Sequence, residues 1–149
     1  MLRKMRPFLG ILIVLSACLL AGCSDLRPPV GRWEGRYEDS ALVIVARLEI
    51  DSAGNVRVSA PNAVSDNKPL SDGDRADLRA KLEDGLTASW PHVAPLPLEF
   101  DGHSFHKHGG VAPQLEWDGA KRRMTLIFYS GSRRSVHVPL QAVKDFDES

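Results

Sequence analysis

The chain has 149 residues with 19 basic and 19 acidic side chains, is 43% hydrophobic, and contains two cysteines. That length suits one domain and excludes a large multidomain enzyme. Cancelling charges and an ordinary apolar fraction exclude a disordered chain and a global basic field for nucleic acid; two cysteines without a CxxC pair build neither a disulfide framework nor a structural zinc site. At the N-terminus Arg3, Lys4 and Arg6 stand without an acid, and residues 8–22 then contain no charged side chain. A bilayer-spanning helix needs about 20 apolar residues, so this run is short for a permanent span. A charged start, a short apolar middle and small residues before a cut describe an export signal, expected over residues 1–22.

The run ends in Leu20-Ala21-Gly22-Cys23. This resembles the lipobox of bacterial lipoprotein precursors: an aliphatic residue, two small ones, then the obligatory cysteine. The resemblance covers residues 1–23. It implies that Leu20, Ala21 and Gly22 are read by the signal peptidase and that the chain is cut before Cys23. It further implies that Cys23 carries a diacylglycerol thioether and an N-acyl chain, and no other cofactor is expected. Two or three acyl chains anchor stably where one is marginal, because each buried methylene contributes ~0.8 kcal/mol. In such lipoproteins Asp after the cysteine favours retention at the inner membrane. Here Ser24 follows and Asp25 comes second, which implies the outer membrane, facing the periplasm, with the inner membrane as the alternative. The mature chain loses Arg3, Lys4, Arg6 and Cys18, which leaves a small net negative charge and no free thiol. Cysteine chemistry is therefore not expected.

Residues 23–30 read as a lipidated tether. Pro28-Pro29 favours an extended conformation at about 3.1 Å per residue, which keeps the domain within roughly 20–25 Å of the lipid surface. Period-two alternation then predicts a single β-rich domain over 31–141. Trp33 and Tyr37 share one face of the first strand. In the second, Leu42, Ile44, Ala46, Leu48 and Ile50 share a face, while the other begins with Val43 and Val45 and turns charged at Arg47 and Glu49. Asp51 to Gly54 supplies turn chemistry before a returning strand at Val56 and Val58, making a three-stranded meander over 32–60. Residues 61–70 read as a loop.

A helix is expected over 72–90. Ser71 offers an N-cap, Asp72 and Asp74 suit the positive end of the dipole, and Pro91 stops the helix. Leu78, Leu82, Leu86 and Trp90 form the apolar stripe of a core face, and Gly85 either weakens the last turn or permits close packing on the sheet. Asp101-Gly102 then signals a hairpin between Leu98-Glu99-Phe100 and Ser104-Phe105-His106. Further strands are expected at Gln114–Trp117, Met124–Tyr129 and Ser135–Leu140, and residues 142–149 should fray as an acidic tail. The fold class is mainly β with one helix (α+β). About eight strands form an antiparallel meander sheet curled around the helix, or a small, partly open barrel.

Two clusters carry candidate chemistry. His103, His106 and His108 fall within six residues, and neutral imidazole suits zinc or copper. Alternation places His106 and His108 on one face and His103 on the other, with Glu99 or Asp101 within reach across the hairpin. Weak metal binding and solvated hairpin histidines are the two readings. Arg122 and Arg123 (with Lys121) precede the strand 124–129, and Arg133 and Arg134 follow it. Such charges act as gatekeepers against edge pairing or attract anionic headgroups, and the strand should hold the two groups at its opposite ends.

Gly31-Arg32-Trp33 resembles the G-x-W start of lipocalins, which implies a carrier of a small apolar ligand. The predicted helix after the third strand departs from that family, and a Trp closing one end of a sheet core explains Trp33 equally. No GxSxG elbow or Gly-rich phosphate loop is present, so an enzyme is not expected. The expected function is a non-catalytic binding or interaction module, lipid-anchored in the cell envelope. Its expected partners are the membrane and either an envelope protein or a small apolar ligand, without nucleic acid.

Overall fold

A computed structural model of the protein describes residues 27–130 and 134–146. The signal segment, Cys23 and Arg133 lie outside the described residues.

The architecture is the small, nearly closed barrel, built from antiparallel strands. Strands β1 (Gly31–Glu38), β2 (Leu42–Ile50), β3 (Val56–Ser59) and β4 (Asn62–Val64) precede helix α1 (Asp72–Ser89). Strands β5 (Leu98–Phe100), β6 (Ser104–Lys107), β7 (Pro113–Asp118), β8 (Arg123–Ser130) and β9 (Arg134–Val143) follow it. The sheet runs β3-β2-β1-β9-β8-β7-β6-β5, and β4 pairs with β2 off this path. Pairing of β1 with β9, Arg32 opposite Val143 through Gly35 opposite Leu140, joins the two halves of the chain. A bridge between Val56 and Leu96, with the Leu96 amide donating to the Val56 carbonyl at 2.7 Å, nearly closes the ring.

Alternation decides what the barrel encloses. On β2 the inward side chains Leu42, Ile44, Ala46, Leu48 and Ile50 are buried, together with Trp33, Val56, Phe105, Leu115, Met124, Leu126, Val136, Val138 and Leu140. The outward Val43 and Val45 are also buried, whereas Arg47 and Glu49 reach water, so β2 is covered on both faces at its start. Its cover is α1. Val45 packs with Leu86 and Trp90, and Leu82, Val93 and Phe146 complete this second apolar cluster. The helix therefore lies against the outside of the barrel; the sheet does not curl around it.

Local chemistry explains the helix limits. The Ser71 side chain accepts from the Asp74 amide while the Asp74 carboxylate accepts from the Ser71 amide, a reciprocal cap. The helix ends at Ser89, and Pro91 sits in a single 3-10 turn, Trp90–His92. Of the expected apolar stripe, Leu86 and Trp90 are buried, while Leu78 and Leu82 are half-buried. Gly85 is exposed, with open space where a Cβ would stand, so it only weakens the helix and mediates no packing.

Three segments differ from the sequence-based expectation. Residues 62–64, read as loop, form β4 because β2 offers a free edge at Leu42–Ile44. Strand β9 runs to Val143, beyond the expected domain limit at 141. Past it, the tail expected to fray is held through residue 146: Phe146 packs edge-on against Trp90 with ring centroids 4.9 Å apart, and Arg47 lies 5.1 Å over its ring. An aromatic clamped between indole and guanidinium outweighs the polarity of its neighbours.

Candidate functional site

Antiparallel pairing gathers one set of turns at one end of the barrel. Gly31 stands opposite Ile50, Phe100 opposite Phe105, Asp118 opposite Arg123, and Arg32 opposite Val143. The β2–β3, β5–β6 and β7–β8 turns and the end of β9 therefore share that end with the start of β1. The tether meets the domain there as well: Pro28 Cγ lies 3.5 Å from where a Cβ on Gly54, in the β2–β3 turn, would stand.

Each of the three turns is closed by an aspartate. Asp51 accepts from the Ala53 and Asn55 amides, both at 2.9 Å, and from the Asn55 side chain, which with those amides holds its carboxyl below the usual range. Asp101 accepts from the His103 amide at 2.8 Å and the Ser104 amide at 2.7 Å, and these bonds lower its pKa likewise. Asp118 accepts from the Lys121 amide at 3.0 Å. The acids of the turns are thus committed to backbone donors. Arg122 and Arg123 are exposed and have no acidic partner among the described residues. Arg122 has φ +50°, a left-handed conformation that costs a residue with a Cβ about 1 kcal/mol.

Both arginines line a cleft of about 920 Å³ at this end of the barrel. Ser104, Glu116, Thr125 and Pro139 are cross-strand neighbours on the outward side of β6 to β9 and form its floor. A second cleft of about 480 Å³ lies between α1 and the outside of β1 and β2, lined by Glu34, Arg36, Arg47, Glu83 and Asp84. Pro139 and Gln141 border both. Pro139 sits where β1 stops pairing with β9, so its missing N–H leaves no broken rung there.

The three histidines are not gathered into a ligand set. His103 lies in the β5–β6 turn, where its carbonyl accepts from the Trp117 amide at 2.6 Å. His106 Nε2 lies 3.1 Å from Asp101 Oδ2, while its buried Nδ1 has no partner. His108, past the end of β6, binds Glu99 through Nδ1, and that carboxylate raises its pKa. Among the described residues no three His, Cys, Asp or Glu side chains are grouped to hold a metal. The register shift between Phe105 and His106 and the end of β6 at Lys107 send His106 and His108 to different carboxylates.

The basic residues divide in the same way. Arg123 opens β8 beside the tether end, whereas Arg134 opens β9 opposite Ser130 at the far end. The seven steps from Arg123 to Ser130, at about 3.3 Å each, separate them by about 23 Å, so Arg122 and Arg123 belong to one end and position 134 to the other. The curled sheet alone is compatible with a carrier of an apolar ligand, but its interior is occupied. Trp33 packs edge-on against Trp117 at 6.2 Å, and Phe105, Ile44, Leu48, Leu115, Met124 and Val138 are fully buried behind them. Both clefts open on the outer surface. No described helix is long and apolar enough to cross a membrane.

Sequence reading missed the cleft because its floor joins residues from four strands. It also missed the partnership of Arg57 with the end of α1, which no local spacing announces. Comparison with protein-family models, curated proteins and solved structures finds no match to this chain.

Proposed function

We propose that the protein is a lipid-anchored envelope lipoprotein whose barrel acts as a non-catalytic binding module held close against the bilayer, in the outer membrane facing the periplasm. The observation that carries this reading is the shortness of the link between Cys23, at the end of the lipobox Leu20-Ala21-Gly22-Cys23, and Pro28, which lies beside the β2–β3 turn. Five residue steps span at most about 18 Å when fully extended. An acyl anchor on Cys23 therefore keeps the tether end of the barrel within headgroup distance and turns the β1–β2 and β8–β9 connections away. The packed interior favours surface recognition over carriage of an apolar ligand within the barrel, and the partner is the membrane together with an envelope protein at its surface.

Fractionation of cells producing the full chain tests this. The native protein should sediment with membranes and resist high salt, whereas Cys23→Ser should be released or retained at precursor size. Sedimentation and size unchanged by Cys23→Ser would contradict the proposal.

A further inference from the structure

We propose that the cleft bearing Arg122 and Arg123 is a headgroup site: it receives the phosphate of an anionic phospholipid in the bilayer to which the protein is anchored. This rests on the lipoprotein reading and adds to it the ligand of one specific surface.

Three observations converge. First, the cleft lies at the end of the barrel that the tether joins, so a bilayer within reach of Cys23 lies at the same end as Arg122 and Arg123. Second, the charges at this end are unevenly committed. Asp51 and Asp101 are tied to turn amides and Asp118 to the Lys121 amide, with the Lys121 ammonium 3.8 Å away. Arg122 and Arg123 keep all their guanidinium donors available among the described residues, and Glu116 is the one further acid of the cleft. Third, the turn holds Arg122 at φ +50°, a backbone state that its side chain disfavours. Adjacent guanidiniums supply the planar, bidentate donors that a phosphate takes up. The volume of about 920 Å³ accommodates a headgroup. Because the mature chain is net negative, any attraction to an anionic surface must be local to these residues and not a property of the whole protein.

The nine described strands, the described helix and both apolar clusters lie within residues 31–146, so a chain of residues 24–149 carries all of the described fold without Cys23. The experiment measures sedimentation of this soluble chain with phosphatidylcholine vesicles, with and without phosphatidylglycerol. Binding should require phosphatidylglycerol and weaken with salt. Arg122→Gln with Arg123→Gln should weaken it about 30-fold, each guanidinium near an anionic surface being worth about fivefold. Arg134→Gln, at the far end, should leave it unchanged. Arg122 and Arg123 are exposed, and both variants should keep the parent thermal midpoint, which is measured alongside. Equal binding to neutral vesicles, full binding by the double variant, no binding by the parent, or saturable uptake of free inorganic phosphate without vesicle preference would each overturn the proposal. Because this chain lacks Cys23, these outcomes are independent of whether the native protein is acylated.

Discussion

Gly35→Ala is expected to destabilise the barrel by about 3 kcal/mol, and to lower its thermal midpoint by about 10 °C. Gly35 faces inward on β1 at its last rung with β9, opposite Leu140. A Cβ there would lie 2.2 Å from the Pro139 carbonyl oxygen and 2.6 Å from Leu140 Cδ2. The leucine tip could turn away, but the carbonyl is backbone and belongs to the strand that unites the two halves of the sheet. Relief therefore requires β1 and β9 to separate at the seam on which the eight-strand path depends. Urea unfolding of the parent and the variant checks this, and a loss below about 1 kcal/mol would mean that the seam is far softer than the packing implies.

Arg57→Ala should cost about 2–3 kcal/mol, and Arg57→Lys should recover little of it. Arg57 projects from β3 to the end of α1. Its Nε donates to the Val93 carbonyl at 2.9 Å, Nη2 to the Trp90 carbonyl at 2.7 Å, and Nη1 to Glu49 at 2.9 Å, while its Cζ lies 4.8 Å over the Trp90 ring. One planar fork thus fastens the helix end, its 3-10 turn and the β2–β3 hairpin together. A lysine brings one point charge to a place that uses three directed donors and a stacking plane. Hydrogen exchange should accelerate at residues 90–96 in both variants before global unfolding. Full protection in Arg57→Lys would show that charge alone suffices.

Much of the fold was legible because its determinants are local. The alternation of Leu42 to Ile50 specified both the buried face and the point where Val43 and Val45 give way to Arg47 and Glu49. Ser71 with Asp74 marked the helix start, and Asp101-Gly102 marked its turn. What was not legible depends on partners distant in sequence. β4 exists because the edge of β2 is free for it, and the end of β9 is ordered by Arg32 and Trp33, more than a hundred residues earlier. The placement of α1 on the outside of the barrel depends on Val45 being apolar on the outward side, which sequence shows but does not assign to a covering element. The candidate site follows the same rule. That Arg122-Arg123 and Arg133-Arg134 flank one strand in sequence could be read from the chain. Which of those ends receives the tether could not, because it follows from the register of Gly31 with Ile50 and the placement of Pro28 beside the turn at Gly54.

Lipid attachment at Cys23 is the central proposal, and the mass of the N-terminus of the membrane-derived protein tests it directly. Protein isolated from membranes should yield an N-terminal peptide beginning at Cys23, heavier than its sequence by a diacylglycerol group and an N-linked acyl chain. Alkaline hydrolysis should remove the ester-linked chains. A membrane-derived peptide that begins before Cys23, or one that begins there at its unmodified mass, would contradict the account.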